Sequence, residues 1–407
     1  MGYADTDVIA EYAARRPALP FVTFVVLPDI ALACIMALRP PFVIRVGASL
    51  LLLYAAFYAT ATYTTGTPVD DYSLGSTIFG NMVLNIMLLT WLTDPVNDFR
   101  YVKDPAPLTA RPLFKRIWYA FCIIRNYRLI GTNVQVANVP APFKGTRSQF
   151  LLRRLRQLLV CIVSLDLVES WIHTHHHLYM PETAHLHFPA TPLGYLARSA
   201  CIGAWLFMCY TVLKLSYVVC SMVAVATQIG NGDPEDWPDL FGTWSDAYTV
   251  RHLWGRAWHQ NLRRHFSHWG KLTVRALGIP RGTWLSSQVQ IHVAFGLSAL
   301  LHCMGDLMID RAHFGRSFAF FAANGLAITL EDTVFALAKR AGLAPAGRPS
   351  RALRVLGYLW VYVWCTWSGP LYQGWMFESK VGLNDILPYS PTRSIILPAI
   401  RSITGYA

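Results

Sequence analysis

Residues Leu285–Met308 read LSSQVQIHVAFGLSALLHCMGDLM. As a helix rising 1.5 Å per residue, this run extends about 36 Å, more than the hydrocarbon core of a bilayer requires. Its one carboxylate is Asp306, and the imidazole of His302 stands one turn before it. Further apolar runs lie at Leu19–Leu38, Phe42–Ala61, Leu74–Leu92, Phe318–Leu337 and Leu353–Leu371. The run Leu193–Ile229 is too long for one simple crossing and is read as a tilted, extended helix or a broken one. Leu158–Val168 makes a span only if the helix includes the basic turn Arg153, Arg154 and Arg156. The expectation is an all-α, polytopic transmembrane bundle of about eight spans, with Pro28 kinking the first.

The composition agrees. Of 407 residues, 54% are hydrophobic and only 14% charged, with a mean hydropathy of +0.34, which excludes an ordinary soluble protein of this size. The net charge of +12 does not imply nucleic acid, because the basic residues gather in loops between apolar runs. By that bias, Thr93–Gln149, Gly230–Thr283 and Lys339–Arg351 face the cytosol; the acidic turn Pro68–Asp71 and the histidine-rich stretch Trp171–Pro192 face the lumen. Eight cysteines stand singly and never as CxxC, so neither a disulfide framework nor a zinc site is expected. Residues 1–18 carry Asp5, Asp7, Glu11, Arg15 and Arg16 without an apolar core, so targeting is assigned to the first span. One membrane-embedded domain is expected over 1–407, with N-terminal helices over 1–92, a basic cytosolic loop over 93–150 and a catalytic half over 151–407.

An ionisable group inside a span costs about 2.5 to 3.5 kcal/mol on insertion scales and asks for a reason. His302 is the clearest case. A neutral imidazole there can take the proton of a bound hydroxyl, or it can simply hydrogen-bond a neighbouring helix. Asp306, four residues on, shares the helix face and either orients the ring or pairs with it. Asn324, inside Phe318–Leu337, is a further candidate substrate contact. Upstream, Arg251–Arg264 reads RHLWGRAWHQNLRR, with Trp254, Trp258 and Leu262 at helical spacing and arginines between them, which predicts an interfacial amphipathic helix. Anchoring alone leaves His259 and Gln260 unexplained.

Pro238-Asp239-Leu240-Phe241-Gly242, the Trp258-His259-Gln260 segment and the apolar helix ending in Leu301-His302 together resemble the wax-synthase-like branch of the membrane-bound O-acyltransferases. The likeness covers the C-terminal half well and is nearest to fungal members that decorate secondary metabolites. It departs from the commoner His-Glu continuation by placing Cys303 after His302. The resemblance implies acyl transfer from acyl-CoA, with acetyl-CoA among the donors, to the hydroxyl of a lipophilic acceptor such as a terpenoid or a long-chain alcohol. It implies a multi-pass protein of the endoplasmic reticulum with no tightly bound cofactor. On this chain His302 matches the catalytic histidine and His259 the second polar position, which is Asn or His across the family. Trp254, Trp258, Gln260, Asp306 and Asn324 become substrate-contacting candidates. Arg256, Arg263 and Arg264 become candidates for the CoA phosphates, although the same charges serve anionic lipid or topology.

His173, His175, His176, His177, His185 and His187 are numerous enough for a metal, but their spacing does not converge on one helix face, so no metal is expected. Asp94-Pro95-Val96-Asn97-Asp98 and Asp104 only superficially resemble the aspartate-rich segment of intramembrane prenyltransferases and read as local caps. An intramembrane terpene cyclase or prenyltransferase, using His302, Asp306 or Glu331 for protons, would not require the Trp-His-Gln segment. A transporter or lipid-binding protein would be expected to show paired repeats with matching broken helices, and none is visible. The sequence does not fix the oligomeric state.

Overall fold

The computed structural model describes residues 6–104, 106–179, 190–343, 349–381 and 385–404. Among them, extended backbone pairs only in isolated bridges, such as Ala18 with Thr64, and everything else regular is helical. The helices that matter here are α1 (Val22–Leu38), α2 (Phe42–Thr62), α3 (Pro68–Leu92), α4 (Leu113–Arg125), α5 (Arg147–Thr174), α6 (Pro192–Thr227), α7 (Arg263–Ala276), α8 (Trp284–Ile309), α9 (Phe318–Arg340) and α10 (Arg351–Ser368). Five helices of the described residues are long and apolar enough to cross a membrane: α2, α3, α6, α8 and α9, the last counted with the turn before it. The other expected crossings fall on α1, which is shorter, on α5, whose first half carries Arg147, Arg153, Arg154 and Arg156, and on the 18-residue α10. α6 is one unbroken helix of 36 residues, about 54 Å long.

The chain forms two compact units, each interleaved in sequence. One comprises 1–9, 141–240 and 365–407. There α5 and α6 pack along each other, and Asp239 of the Pro238–Gly242 motif accepts from Arg153 at 2.6 Å and from the buried Arg154 at 2.8 Å. At the other end of α5, Asp166 accepts from the hydroxyls of Ser390 and Thr392, and His173 lies 3.0 Å from Asp385. His175 spends Nδ1 on the carbonyl of Trp171. His185 and His187 lie outside the described residues, and among the described ones no cluster suited to a metal forms.

The second unit comprises 10–140 and 241–364 and contains both histidines singled out above. Its apolar core joins Leu32, Met36, Leu52, Phe79, Met82, Ile86 and Ile123 to Met304 and Met308 of α8. The acidic residues after α3 act locally: Asp94 pairs with Arg39 at 2.5 Å and Asp104 with Arg111 at 2.5 Å. The decisive contact is between α3 and α8. A Cβ on Gly75 would come within 2.6 Å of the Met304 carbonyl, one on Gly80 within 2.6 Å of the Leu301 carbonyl, and one on Gly305 within 2.7 Å of the Tyr72 carbonyl. Backbones approach this closely only where side chains are missing, the usual device of helices packed in lipid. It brings the start of α3 against the C-terminal half of α8.

Arg251–Arg264 is not a single amphipathic helix: residues 250–252 form one turn, Leu253–Ala257 a wide π-turn, and Trp258 is extended at φ −70, ψ 159. The amphipathic helix is α7, displaced toward the C-terminus. The tryptophan spacing that suggested a helix is satisfied instead by a folded loop held by side chains.

Candidate active site

His302 sits half-buried on α8, two turns before its end. Phe321 of α9 stacks on its ring at 4.5 Å and 17°, which fixes the plane of the imidazole. Its Nδ1 lies 2.9 Å from the hydroxyl of Tyr72 on α3. That hydroxyl lies 3.3 Å from Ser317 Oγ, and Ser317 Oγ donates to Asp306 Oδ1 at 2.6 Å. Ser317 N–H also donates to Asp306 Oδ2, at 2.9 Å. Asp306 and Ser317 are both 0% exposed. Asp306 therefore reaches His302 through two hydroxyls rather than by touching the ring.

The loop carrying His259 is built from buried hydrogen bonds. Glu331 on α9 accepts from the backbone N–H of Val250 at 2.5 Å and of Arg251 at 3.0 Å, and from Trp360 Nε1 at 2.6 Å. Asn324, two turns earlier on the same face of α9, accepts from Trp254 Nε1 at 2.9 Å and Trp364 Nε1 at 3.0 Å. Gln260 closes the π-turn by donating to the carbonyls of Trp254 at 3.1 Å and Trp258 at 2.7 Å. Arg263 donates to Gln260 Oε1 at 2.6 Å and to the Gly255 carbonyl at 2.9 Å. Gly242 lies so near the Arg256 carbonyl that a Cβ would stand 2.1 Å from it, which accounts for glycine at the end of the Pro238–Gly242 motif.

This framework holds His259 between Phe241 and Trp258, with ring centroids at 6.0 and 5.5 Å. Its Nδ1 is buried with no partner among the described residues. Burial, with the Arg128 guanidinium adding to it, pushes His259 down to about 4, so the ring is neutral at pH 7. His259 and His302 lie near enough to interact electrostatically. Two imidazoles more than forty residues apart in sequence thus converge in one unit, one on a spanning helix and one on a rigid loop.

The remaining sequence candidates divide by what they touch. Trp254, Gln260 and Asn324 hydrogen-bond one another's elements, Trp258 packs on His259, and Asp306 is wholly enclosed. Arg256 is exposed, Arg263 is half-buried and Arg264 is only 6% exposed. Arg264 donates to the Ile123 carbonyl at 3.0 Å and to Asn85 Oδ1, which ties α7 to α3 and α4. Arg256, the exposed one of the three, is the one whose guanidinium stands at the surface.

Residues 237–323 match the membrane bound O-acyl transferase family. Across most of the chain there are relatives of the same size. An acetyltransferase of Rhodocybe pseudopiperita, ple2, is 29% identical over 88% of this chain and 90% of its own length. The acetyltransferase eriL of Hericium erinaceus is 28% identical over 85% and 88%, and the acetyltransferase pyr8 of Aspergillus fumigatus is 28% identical over 79% and 78%. The matched segment and these relatives support a membrane-bound O-acyltransferase. No solved structure matches it.

For a membrane-bound O-acyltransferase the matched segment explains itself physically: it spans the loop of His259, all of α7 and α8, and the turn that holds Ser317. Tyr72 lies outside it and was not among the sequence candidates. Its partner is 230 residues away, and no local pattern announces such a pairing. The only signal in the sequence is indirect. Gly75 and Gly80 on one apolar run and Gly305 on another mark two helices able to touch, and Tyr72 stands at the edge of that contact.

Proposed function

We propose that this O-acyltransferase moves an acetyl group from acetyl-CoA to the hydroxyl of a lipophilic acceptor, a terpenoid or long-chain alcohol, in the endoplasmic reticulum membrane. The observation that carries the reading is that His302 and the loop of His259 belong to one compact unit, with His259 Nδ1 buried and without a partner among the described residues. With Nδ1 bonded to Tyr72, His302 takes the proton of the acceptor hydroxyl at Nε2. The alkoxide oxygen forms a bond to the thioester carbon; the carbonyl electrons move onto oxygen, and return as the C–S bond breaks. The departing thiolate takes the proton from His302. A thioester needs no further activation, so the protein supplies a base, a donor for the oxyanion and exclusion of water. His259, neutral at pH 7, is the oxyanion donor.

The acetyl donor is supported by relatives that are named acetyltransferases and match over most of their length. Arg256 is the candidate contact for the CoA phosphates, while the buried Arg264 serves the fold. Membranes containing the protein, given labelled acetyl-CoA or palmitoyl-CoA and a panel of terpenoid and long-chain alcohols, should form labelled ester from acetyl-CoA. Ester from palmitoyl-CoA alone would overturn the acetyl assignment, and no ester from any pair would overturn the acceptor class.

A further inference from the structure

We infer that the cleft between α7 and the first turn of α8 holds the phosphate group of an acidic phospholipid, in the leaflet where α8 begins. The site lies apart from the imidazole of His302. Gln290, the lining residue furthest along α8, stands twelve residues before His302, about 18 Å along the helix.

A cavity of about 340 Å³ opens there, in the size range of small-molecule sites. α7 lines it with His268, Lys271 and Arg275, the turn before α8 with Arg281, and α8 with Ser286 and Gln290. Gly270 explains how the walls come together. A Cβ there would lie 3.0 Å from Gln290 Cγ and 3.2 Å from its Cα, so α7 rests directly on α8 and its cations are held beside Arg281. No carboxylate lines the cavity, and the sequence has no Asp or Glu between Asp246 and Asp306. Lys271, Arg275 and Arg281 make no ion pair and no side-chain hydrogen bond among the described residues. The crowding of like charge is felt by its neighbour: burial, with Arg275 and Lys271 adding to it, pushes the His268 imidazole down. Gly282 and Ser286 bracket the N-terminus of the 26-residue α8, so the positive end of that helix adds to the same field. Cations gathered at a helix N-terminus without a counter-charge make a site for an anion.

The source of the anion follows from depth. α8 is long and apolar enough to cross a membrane and starts at Trp284, so the cavity lies where the chain passes from a polar loop into hydrocarbon. Leu277, between Arg275 and Arg281, is exposed, and so are Trp284 and Leu285, between Gly282 and Ser286. Apolar side chains interleaved with unpaired cations suit a ligand with an anionic head and an apolar body, and tryptophan at such a boundary sits at headgroup level. A soluble phosphate would use the cations and leave those three side chains uncovered.

The test places the full-length protein in phosphatidylcholine nanodiscs with or without phosphatidic acid, and reads the unfolding temperature and the affinity for labelled phosphatidic acid. Phosphatidic acid should raise the unfolding temperature by mass action. In Lys271→Gln/Arg275→Gln/Arg281→Gln the affinity should fall about 100-fold, roughly fivefold for each cation at a membrane surface, and the rise should vanish. Lys339→Gln/Arg340→Gln/Arg351→Gln removes the same charge from the connection between α9 and α10 and should lower the affinity less than about fivefold. Equal losses in the two triple variants would mean diffuse attraction to the membrane and would overturn the pocket, as would a wild type that phosphatidic acid does not stabilise. Stabilisation by CoA, but not by dephospho-CoA or phosphatidic acid, that is lost in the first triple variant would give the cavity to a nucleotide phosphate and overturn the lipid. If that variant does not fold, Arg281→Gln in the exposed turn decides alone: the affinity should fall about fivefold, and an unchanged affinity overturns the proposal.

Discussion

Asp71 and Asp306 are both 0% exposed, and the residue next to one of them binds the chain that starts at the other, yet the two carboxylates are treated in opposite ways. Asp71 is closed off. It accepts from Tyr12 at 2.6 Å, Thr64 Oγ1 at 2.7 Å, Thr65 N at 2.6 Å, Thr65 Oγ1 at 2.7 Å and the Arg16 guanidinium at 2.9 Å. A cation and a full set of donors leave it no capacity to influence anything beyond its neighbours, and Arg16 and Tyr12 in turn reach the Ile309 carbonyl at the end of α8. Asp306 has no Arg or Lys paired with it among the described residues; it is met by the Ser317 hydroxyl and N–H, the Gly315 backbone and the Cys303 thiol, and Ser317 in turn lies 3.3 Å from the Tyr72 hydroxyl beside His302. A buried charge that is neutralised on the spot holds helices together. One that is only hydrogen-bonded leaves its field to act on the groups around it.

The sharpest test of that contrast is at its functional end. His302→Ala should lower turnover by about 10² to 10⁴, the usual weight of a general base, while the protein still inserts and unfolds at its normal temperature. Near-normal turnover in a folded variant would leave the Asp306 chain with nothing to serve.

At the structural end, Asp71→Asn should destabilise the protein by about 3 to 5 kcal/mol, the cost of leaving Arg16 without its buried partner. Turnover per folded molecule should stay close to wild type. A variant of normal thermal stability but depressed kcat would reverse the roles given to the two carboxylates.

Between the two lies the helix contact that positions both. Gly305→Ala pushes a methyl group against the Tyr72 carbonyl and ring, and should cost about 1 to 3 kcal/mol by overpacking. It should also lower kcat more than Asp71→Asn does, because the displaced ring is the one bonded to His302. Equal kcat in the two variants would mean that the tyrosine tolerates displacement.

The smallest expected effect is in acid. His259 is held near 4 in the folded protein but titrates near 6.5 once unfolded, so between those values the unfolded chain binds the extra proton and stability falls as the pH drops. Above about pH 6.5 both states are neutral and the effect vanishes. His259→Asn should make thermal unfolding less sensitive to pH between 7 and 5 and should keep measurable acyl transfer, since an amide can still donate to an oxyanion. An unchanged slope would show that the ring is not enclosed as described.

How much of this the sequence disclosed follows from distance along the chain. Each apolar run reports its own helix, so α2, α3, α6, α8 and α9 were legible, and an imidazole one turn before Asp306 in such a run was conspicuous. The loop over 250–262 was misread because tryptophans four residues apart look helical, whether a helix or hydrogen bonds from Asn324 and Gln260 hold them. Arg264 looked like a surface cation because a sequence does not disclose that Asn85 and a carbonyl of α4 will enclose it. Tyr72 was illegible for a different reason: its meaning lies in a close crossing of two helices, and only the glycines that permit the crossing are written locally.

The α3–α8 crossing also limits how the enzyme can be re-engineered. A graft of residues 237–323 into another scaffold would carry His302, Asp306 and Ser317 but leave Tyr72 with the donor protein, and with it Gly75 and Gly80. Such a chimera carries His302 without the phenol that lies 2.9 Å from its Nδ1, unless the recipient presents one at the same crossing. Portability of the chemistry is thus set by the N-terminal helices, which the matched segment does not include.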